Sequence, residues 1–281
     1  MQKVCLVTGA NSGLGKEITV ALASQGARII MVCRDKNKGM QAQAAIKTMS
    51  GSESVDLFIA DLSSQADIRA LAKSITMNYP RIDVLINNAG LVLKQKNLSQ
   101  DGIEMTLATN YLGPFLLTHL LLDTLKKCAS ARIINISSAA HQWGKIDLED
   151  LQYTRRNYGP MQAYAQSKLL MNIATFELAR RLAGTGITVN GVHPGAVKTN
   201  LGMTNANNWF LKMFVKILHC FFISPQKAAI FPVQLALSPA FQQDHGKYFA
   251  KGKAVRAAAV CYDPAFAKKV WERSVELVGL A

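Results

Sequence analysis

The chain has 281 residues, of which 49% are hydrophobic and 18% are charged, and its formal net charge at pH 7 is +14. These values are typical of a folded globular protein and exclude a disordered chain. An uncharged apolar run of about 18 residues does not occur, which excludes a membrane-spanning helix, and the N-terminus does not resemble a secretory signal. We therefore expect a cytoplasmic protein.

The positive charge is concentrated towards the C-terminus. Residues 198–281 carry 11 Lys/Arg and four Asp/Glu, and no carboxylate lies between Glu177 and Asp244. A basic surface attracts anions such as a phosphate-bearing cofactor, an acidic substrate or an acidic lipid. A nucleic-acid motif does not accompany it, so we expect no nucleic-acid partner. The five cysteines form no CxxC pair, and we expect neither disulfides nor a metal site.

Short β-branched runs alternate with helical patterns. The strands are predicted at Val4–Thr8, Arg28–Cys33, Val55–Ile59, Val84–Asn87, Arg132–Ser137, Thr188–His193 and Gly246–Ala250. Helices are predicted near 14–25, 36–49, 64–78, 102–127, 161–184, 225–238 and 264–278. Continuous apolar strands are typical of a parallel sheet buried on both faces. We therefore predict an α/β protein with a Rossmann-type, doubly wound parallel sheet of about seven strands and helices on both faces.

No linker, repeat or low-complexity tract interrupts this order, so residues 1–281 are expected to form a single domain. The segment from about 200 to 224 departs from the alternation, and we predict that it forms a helical substrate flap. Within it, residues 209–222 carry apolar side chains around one polar stripe, as in an amphipathic helix. Such a helix either packs as a lid on its own core or also makes a peripheral membrane contact.

A glycine-rich segment follows the first strand and opens the first helix. It has the pattern GxxxGxG over residues 9–15. Glycines permit a tight turn and a close approach of the backbone, and the helix N-terminus attracts a pyrophosphate. We predict a dinucleotide phosphate site at Gly9, Asn11, Ser12, Gly13, Leu14 and Gly15. A turn without a ligand is the alternative.

The end of the second strand bears on the choice of cofactor. Folds that prefer NAD place an acid at this strand tip, where it binds the 2′-hydroxyl, whereas Arg suits a 2′-phosphate. This chain has Arg34 there, followed by Asp35, with Lys36 and Lys38 close by. We therefore predict NADP(H) rather than NAD(H). Two alternatives stay open: Asp35 turns inward, or Arg34 only faces solvent.

The third and fourth strands also end in candidate ligand residues. They are Asp61 and Leu62 after the third strand, and Asn88, Ala89 and Gly90 after the fourth. Ligands bind at the carboxyl ends of strands in such sheets. Asp61 could accept a hydrogen bond from an adenine amino group, and its alternative role is a helix N-cap.

Tyr164 and Lys168 lie four residues apart in a helical pattern, so their side chains project from one face. A free tyrosine has a pKa of about 10. A nearby ammonium favours the phenolate and lowers that pKa, which would let the tyrosine exchange a proton at neutral pH. The YxxxK pattern is common by itself, and a structural role is the alternative.

Six motifs occur in the order found in the short-chain dehydrogenase/reductase family. They are TGxxxGxG, NNAG, a helical asparagine (Asn110), a serine after the fifth strand (Ser138), YxxxK and a PG turn (Pro194, Gly195). The chain resembles this family from residue 4 to about residue 249. The segments TGANSGLGKE, CRD, YAQSKL, HPGAVKTNL and GKYF resemble its retinol dehydrogenase-like group, as does the long insertion of residues 139–160, which includes His141 and Asp150.

The resemblance implies an NADP(H)-dependent oxidoreductase that interconverts a carbonyl and an alcohol. It implies that Tyr164 transfers the proton, that Lys168 binds the nicotinamide ribose and lowers the Tyr164 pKa, and that Ser138 hydrogen-bonds the substrate oxygen. Ser137 is less suited, because strand alternation points it the other way. Asn110 would hold a water linked to Lys168. The residues implied to seat the nicotinamide are Pro194, Gly195, Val197 and Thr199.

The apolar flap predicts a small lipophilic carbonyl or alcohol as substrate, such as a retinoid-like, steroid-like or aliphatic aldehyde or ketone. Trp143 either lines that pocket or packs under the insertion.

Two other functions are weighed: a scaffold that keeps the fold without chemistry, and a lipid-surface protein. Scaffolds of this type usually lack the Tyr, Lys or Ser that are present here. Family members commonly pair through the helices at 102–127 and 161–184, which allows a homodimer or homotetramer.

Overall fold

The structure, a computed structural model, describes residues 2–197 and 223–280. The strands in this part of the chain are β1 (Val4–Thr8), β2 (Arg28–Cys33), β3 (Val55–Ile59), β4 (Val84–Asn87), β5 (Arg132–Ile136), β6 (Thr188–His193), β7 (Lys247–Ala250) and β8 (Lys253–Val255). They form one sheet in the order β3-β2-β1-β4-β5-β6-β7-β8. The strands from β1 to β7 are parallel, and β8 joins β7 in an antiparallel pair.

Helices connect the parallel strands and cover both faces of the sheet. They are α1 (Gly13–Ser24), α2 (Lys36–Ser50), α3 (Gln65–Asn78), α4 (Met105–Leu107), α5 (Gly113–Lys126), α6 (Pro160–Arg181), α7 (Pro225–Leu237) and α8 (Pro264–Leu277). The predicted doubly wound α/β fold is confirmed. The predicted number of strands was one too few, because the three residues of β8 are all exposed and form no buried apolar run.

The helix predicted over 102–127 begins later and is interrupted. Gly102 N donates to Ser99 O at 3.0 Å, and Gly102 has a φ of +72°, so a turn precedes the helix. The Glu104 carboxylate then accepts from Thr106 N and Leu107 N and caps the start of α4. A π-helical turn over residues 108–112 separates α4 from α5. Side-chain capping and the wider turn override the local helical pattern.

Alternate residues of each strand face the two layers of helices. In β1, Leu6 packs in the apolar cluster that includes residues of α3, α5, α6 and α8. Its neighbours Cys5 and Val7 pack in the cluster on the other face, with residues of α1, α2 and α7. All three side chains are fully buried. The strands are therefore apolar without alternation, because both of their faces lie inside the protein.

Helix α8 covers the outer side of α5 and α6. Its Trp271 ring lies 5.0 Å from the Phe115 ring and 4.8 Å from the His119 ring, measured between centroids. Its Ser274 hydroxyl lies 2.6 Å from the Tyr111 hydroxyl. The chain's own C-terminal helix thus packs against the helices through which pairing was predicted. The pairing stays a prediction, and light scattering against the single-chain mass of 30.6 kDa would test it.

Every helix that the structure describes is too short or too polar to cross a membrane. The predicted flap, including its helix at 209–222, lies outside the described residues except for Ile223 and Ser224. Ile223 N donates to Ala196 O at 2.8 Å, and Ile223 forms a bridge with Val197. The two ends of the segment that carries the predicted flap therefore meet beside the end of β6.

Candidate active site

The glycine-rich loop brings the start of α1 into close contact with the end of β1. Gly9 and Gly13 have φ values of +65° and +52°, which favour glycine. A methyl group at Gly15 would lie 2.3 Å from Gly9 O and 2.4 Å from Asn88 Nδ2. A larger residue at position 15 would displace the loop. Because these glycines place no side chains over the turn, a ligand can approach its backbone at the positive end of α1.

The start of α1 differs from the starts of α2, α3, α7 and α8. Those four helices begin with a side chain that accepts a backbone N–H, supplied by Asp35, Ser64, Ser224 and Asp263. The Ser12 side chain makes no such cap within the described chain, and the first turn of α1 contains no acidic residue. Uncapped N–H groups and a positive helix end are the features that bind a pyrophosphate.

Thr8 and Asn88 join this loop to the NNAG segment. The Thr8 hydroxyl accepts hydrogen bonds from the backbone N–H groups of Asn88 and Ala89, each at 3.0 Å. Asn88 Nδ2 donates to Thr8 O at 2.8 Å. The two predicted cofactor segments therefore form one rigid unit at the carboxyl ends of β1 and β4.

At the end of β2, Arg34 and Asp35 have different roles. The Asp35 carboxylate accepts from Lys38 N at 2.9 Å and caps α2, so it is engaged in the helix start. The Arg34 side chain is 66% exposed, and its guanidinium lies 3.9 Å from the Asp61 carboxylate. The Asp35 carboxylate thus satisfies the first turn of α2, but Asp35 also lines the cleft, so the alternative in which it turns inward stays open.

Asp61 is not the N-cap of the helix that follows it. Its Oδ1 accepts from Ser63 N at 2.8 Å and from Ser63 Oγ at 2.7 Å, which stabilises a turn. Ser64 caps α3 instead. The carboxylate of Asp61, beside Arg34, faces the same cleft as the glycine-rich loop.

An open cleft of about 890 Å³ runs along the carboxyl ends of the strands. Nearly all of the predicted cofactor residues line it: Gly9, Asn11, Ser12, Gly13, Leu14, Gly15, Arg34, Asp61, Leu62, Asn88, Ala89, Gly90, Tyr164, Lys168, Pro194, Gly195 and Val197. Thr199 lies outside the described residues. Ser137, Ser138, Trp143, Met161 and His193 line it as well. The cleft therefore joins the glycine-rich loop to the Tyr–Lys pair.

Tyr164 and Lys168 lie at the far end of this cleft from Arg34. The Ser138 side chain lies close enough to the Tyr164 hydroxyl to lower the pKa of that hydroxyl. Lys168 Nζ lies 5.8 Å from the centre of the Tyr164 ring and donates to Ile136 O at 2.8 Å. The predicted trio of Ser138, Tyr164 and Lys168 is thus brought together.

The pKa of Tyr164 lies above its ordinary value. Burial raises it, and the Ser138 side chain opposes that shift only in part. Burial also lowers the pKa of Lys168 to about 8. Desolvation of the phenolate therefore dominates the pKa of Tyr164 in this structure, and the expectation that Lys168 lowers that pKa stays a prediction. The tyrosine is a neutral phenol at physiological pH, which is the form that donates a proton.

Ser137 and Ser138 project differently, as strand alternation predicted. Ser138 is half-buried, its Oγ accepts from Ala140 N at 3.2 Å, and its side chain is near enough to Tyr164 to lower the pKa of the tyrosine. Ser137 is 3% exposed, and its hydroxyl has no hydrogen-bond partner among the described residues. Of the two, Ser138 is the serine that contacts the tyrosine.

Asn110 lies in the π-helical turn and is fully buried. Its Oδ1 accepts from Leu91 N at 2.8 Å, and its Nδ2 donates to Leu91 O at 2.9 Å and to Ser167 Oγ at 3.1 Å. A methyl group at Gly90 would lie 3.4 Å from Asn110 Oδ1 and 3.7 Å from Lys168 Nζ. Asn110 therefore holds the segment after NNAG beside Lys168, and it does not line the cleft itself.

The insertion of residues 139–160 is organised around a buried carboxylate. Asp150 Oδ1 accepts from Thr154 N and Oγ1 at 2.6 and 2.7 Å, and its Oδ2 accepts from Arg156 Nε at 3.1 Å. Burial by itself would raise the pKa of Asp150, but these hydrogen bonds hold it well below its ordinary value. The sequence analysis did not predict this network. The only signal in the sequence is an acidic residue followed six positions later by an arginine.

Trp143 and Met161 are exposed where they line the cleft near Tyr164. Their side chains are 73% and 58% exposed. Of the two roles weighed for Trp143, lining the pocket is therefore supported and packing under the insertion is not. Two large apolar side chains in contact with solvent form an apolar rim at this end of the cleft.

The chain is similar to known proteins over most of its length. The model of the short chain dehydrogenase family matches residues 3–208. Retinol dehydrogenase 13 of Mus musculus is 40% identical over 282 residues, which cover 99% of this chain and 84% of that protein. Retinol dehydrogenase 11 of Homo sapiens is 38% identical over 278 residues, covering 99% of this chain and 86% of that protein.

Solved structures share the fold. An uncharacterized protein from Mycobacterium paratuberculosis superposes with a TM-score of 0.79 at 31% identity, covering 99% of this chain and 94% of that chain. A blue fluorescent protein from a metagenomic library, solved in complex with NADPH, gives a TM-score of 0.69 at 27% identity over 91% of this chain and 98% of that chain. This chain belongs to the short-chain dehydrogenase/reductase family of oxidoreductases and, within it, to the retinol dehydrogenase-like group.

Proposed function

We propose that the protein is an NADP(H)-dependent reductase or dehydrogenase that interconverts a lipophilic carbonyl compound and its alcohol. One observation carries this proposal: a single cleft is lined by an uncapped helix start and Arg34 and also by Tyr164, Ser138 and Lys168. The first set of groups fits a dinucleotide phosphate, and the second set can transfer a proton.

A bound nicotinamide cofactor supplies or accepts the hydride. In the reductive direction the Tyr164 hydroxyl gives its proton to the carbonyl oxygen, while the Ser138 hydroxyl hydrogen-bonds the same oxygen. Lys168 is held by Ile136 O at 2.8 Å beside the tyrosine, where its ammonium stabilises the phenolate that remains and can bind the cofactor's ribose. Asn110 keeps its predicted role of linking a water to Lys168, supported by their common proximity to Gly90. Pro194, Gly195 and Val197 would seat the nicotinamide.

Replacement of the proton donor tests the reaction. Tyr164→Phe should retain NADPH binding, measured by fluorescence titration, and lose turnover of a ketone or aldehyde by about 10²–10⁴-fold, because it removes the proton and leaves the cofactor site intact. Turnover within threefold of the parent enzyme would reject the proposed reaction.

The proposed preference for NADP(H) rests on Arg34, which is exposed in the cleft, and on Lys38, which lines it too. The NADPH complex of the blue fluorescent protein supports it by analogy. Arg34→Ala should raise the Kd for NADPH by about 10-fold or more and leave the Kd for NADH nearly unchanged, because only NADPH carries the 2′-phosphate. An equal loss for both cofactors would show that Arg34 does not contact that phosphate.

The proposed lipophilic substrate rests on the exposed Trp143 and Met161 beside Tyr164. Each methylene that a substrate buries against them contributes up to about 0.8 kcal/mol. We expect kcat/KM to rise along an aldehyde series of increasing chain length and Met161→Ala to flatten that rise. Met77→Ala is the control, because Met77 is 77% exposed on α3 and does not line the cleft. A flat series in the parent enzyme would reject this substrate class.

The predicted membrane contact through residues 209–222 stays a proposal. The basic composition of residues 198–281 supports binding to an anionic surface. Sedimentation with anionic and with neutral liposomes tests it. Equal and low binding to both would reject a membrane contact.

A further inference from the structure

A buried histidine lies directly behind the serine of the site. His141 belongs to the 3₁₀ turn of residues 139–143, which follows β5 and Ser138, and it is 1% exposed. Its ring packs on the ring of Tyr248 in β7, with 4.7 Å between centroids. His141 does not line the cleft that Ser138 lines. Any effect of this histidine on the reaction must therefore pass through its neighbours.

Both ring nitrogens of His141 are hydrogen-bonded to backbone. Nδ1 lies 2.7 Å from Ser138 O, and because a carbonyl only accepts, Nδ1 carries the hydrogen. Nε2 accepts from Ala258 N at 3.2 Å. These two partners define a single neutral tautomer, since protonation would turn Nε2 into a donor that faces another donor.

The partner on the second nitrogen belongs to a well-anchored segment. Ala258 directly precedes the 3₁₀ turn of residues 259–262, whose Cys261 is fully buried. The hydroxyl of Tyr262 accepts from Ala257 N at 3.0 Å, and its ring packs on Phe176 of α6, with 4.9 Å between centroids. His141 therefore ties the turn after β5 to a fixed point close to the C-terminus.

We propose that His141 is a positioning residue for Ser138. By holding the Ser138 carbonyl, it orients the peptide from which the hydroxyl reaches Tyr164. This inference rests on the proposed roles of Ser138 and Tyr164. It adds that the C-terminal segment, through Ala258, His141 and the serine carbonyl, determines how well the serine and the tyrosine are aligned.

Two amide variants separate the two hydrogen bonds. The amide of asparagine can replace Nδ1, so His141→Asn retains a donor to Ser138 O and loses the bond to Ala258. The amide of glutamine can replace Nε2, so His141→Gln retains the acceptor for Ala258 and loses the side-chain bond to Ser138 O, which keeps only the backbone N–H of residue 141 at 3.2 Å. We expect kcat to fall by a few fold for His141→Asn, as for Ala258→Pro, and by about 10-fold to 100-fold for His141→Gln, as for a slightly misplaced catalytic group. The Kd for NADPH should be unchanged in both.

His245 offers a matched control for a purely structural histidine. Its Nε2 lies 2.7 Å from Ala179 O, its Nδ1 accepts from Val189 N at 3.2 Å, and it does not line the cleft. His245→Asn and His245→Gln should lower Tm without changing kcat at a temperature where the variants are folded. A loss of kcat in these variants equal to that of His141→Gln would overturn the inference, because it would then reflect stability alone.

A third variant acts on the second bond with His141 intact. Ala258 has a φ of −55°, which proline can adopt, and Ala258→Pro replaces the N–H hydrogen with a ring carbon that points at His141 Nε2, so the variant removes the bond and displaces the imidazole. We expect a loss of kcat of a few fold with an unchanged Kd for NADPH. An unaltered kcat would overturn the role of the C-terminal segment. The Ala258→Pro enzyme can be measured even if the His141 variants do not fold.

A double-mutant cycle distinguishes failure of the inference from failure of the proposed function. Ser138→Ala should lower kcat, and His141→Gln in that background should cause no further loss, because its effect passes through the serine. If the double variant lost kcat by the product of the two single-variant factors, the inference would be overturned and the role of Ser138 would remain. An unimpaired Ser138→Ala enzyme would instead reject the proposed function of the serine.

Discussion

The two ends of the cleft are held in different ways. At the cofactor end the contacts are local and involve mainly backbone: the glycine-rich loop lies against NNAG, joined by Thr8 and Asn88. At the substrate end the wall is a loop insertion held by buried side chains, with Asp150 and His141 at its centre. The first end should respond to changes in steric volume, and the second to loss of single hydrogen bonds.

The largest effect is expected at the cofactor end. Gly15→Ala places a methyl group 2.3 Å from Gly9 O, so the loop must move away from its ligand-binding position. Overpacking of this kind costs about 1–3 kcal/mol, and we expect the Kd for NADPH to rise up to roughly 100-fold in a fluorescence titration. The aldehyde KM measured at saturating NADPH should change little.

The control for this variant is Gly26→Ala, in the turn between α1 and β2. It has nothing within 4 Å of an added methyl group but a φ of +82°, so it costs stability through backbone strain alone. It should lower Tm and leave the Kd for NADPH unchanged. If both variants weakened NADPH equally, the close contact at Gly15 would not be what forms the cofactor end.

A smaller effect, on stability, is expected at the substrate end. Asp150→Ala leaves Arg156 and the Thr154 N–H without their buried acceptor and should lower the free energy of unfolding by about 2 kcal/mol in urea titrations. It should lower kcat/KM for the carbonyl substrate while the Kd for NADPH stays unchanged. Asp123→Ala is the control. The Asp123 side chain is 94% exposed, so its ion pair with Lys126 should contribute little to the free energy of unfolding.

The smallest effect concerns pH, and it too distinguishes the two ends. All five histidines follow residue 118, so the cofactor half formed by residues 1–118 contains none. Burial lowers the pKa values of His119, His141 and His193 below their ordinary value of 6.5. As pH falls through about 6.5, the unfolded chain therefore takes up protons that the folded chain resists, and stability is lost.

We expect the free energy of unfolding to fall between pH 7 and pH 5.5, by about 1 kcal/mol or less for each of these histidines. His119→Phe should remove the contribution of His119 to the pH dependence of the free energy of unfolding. The Kd for NADPH should vary less with pH than the stability does. A stability that rises on acidification would contradict the sign of all three pKa shifts.

The features predicted well from the sequence depend on residues close together in the chain. The apolar runs of β1 to β7 predicted the sheet, because burial on both faces leaves a continuous pattern. The glycine-rich loop and the spacing of Tyr164 and Lys168 predicted one cleft, because a helix start and an i,i+4 pair are local geometry. Arg34 at the strand tip lines the same cleft, and its contact with a 2′-phosphate stays a prediction.

Other features were decided by the tertiary structure. The exposed β8 is a strand only because β7 lies beside it, and Asp35 caps α2 while it also lines the cleft. The pKa of Tyr164 is raised because burial outweighs the lowering effect of Ser138, and no spacing in the sequence reports the depth of burial. The contacts of His141 join residues 117 positions apart. The sequence by itself determined which chemical groups stand at the ends of the strands, whereas packing between distant segments decided their protonation and alignment, because both depend on solvent exclusion and long-range hydrogen bonds.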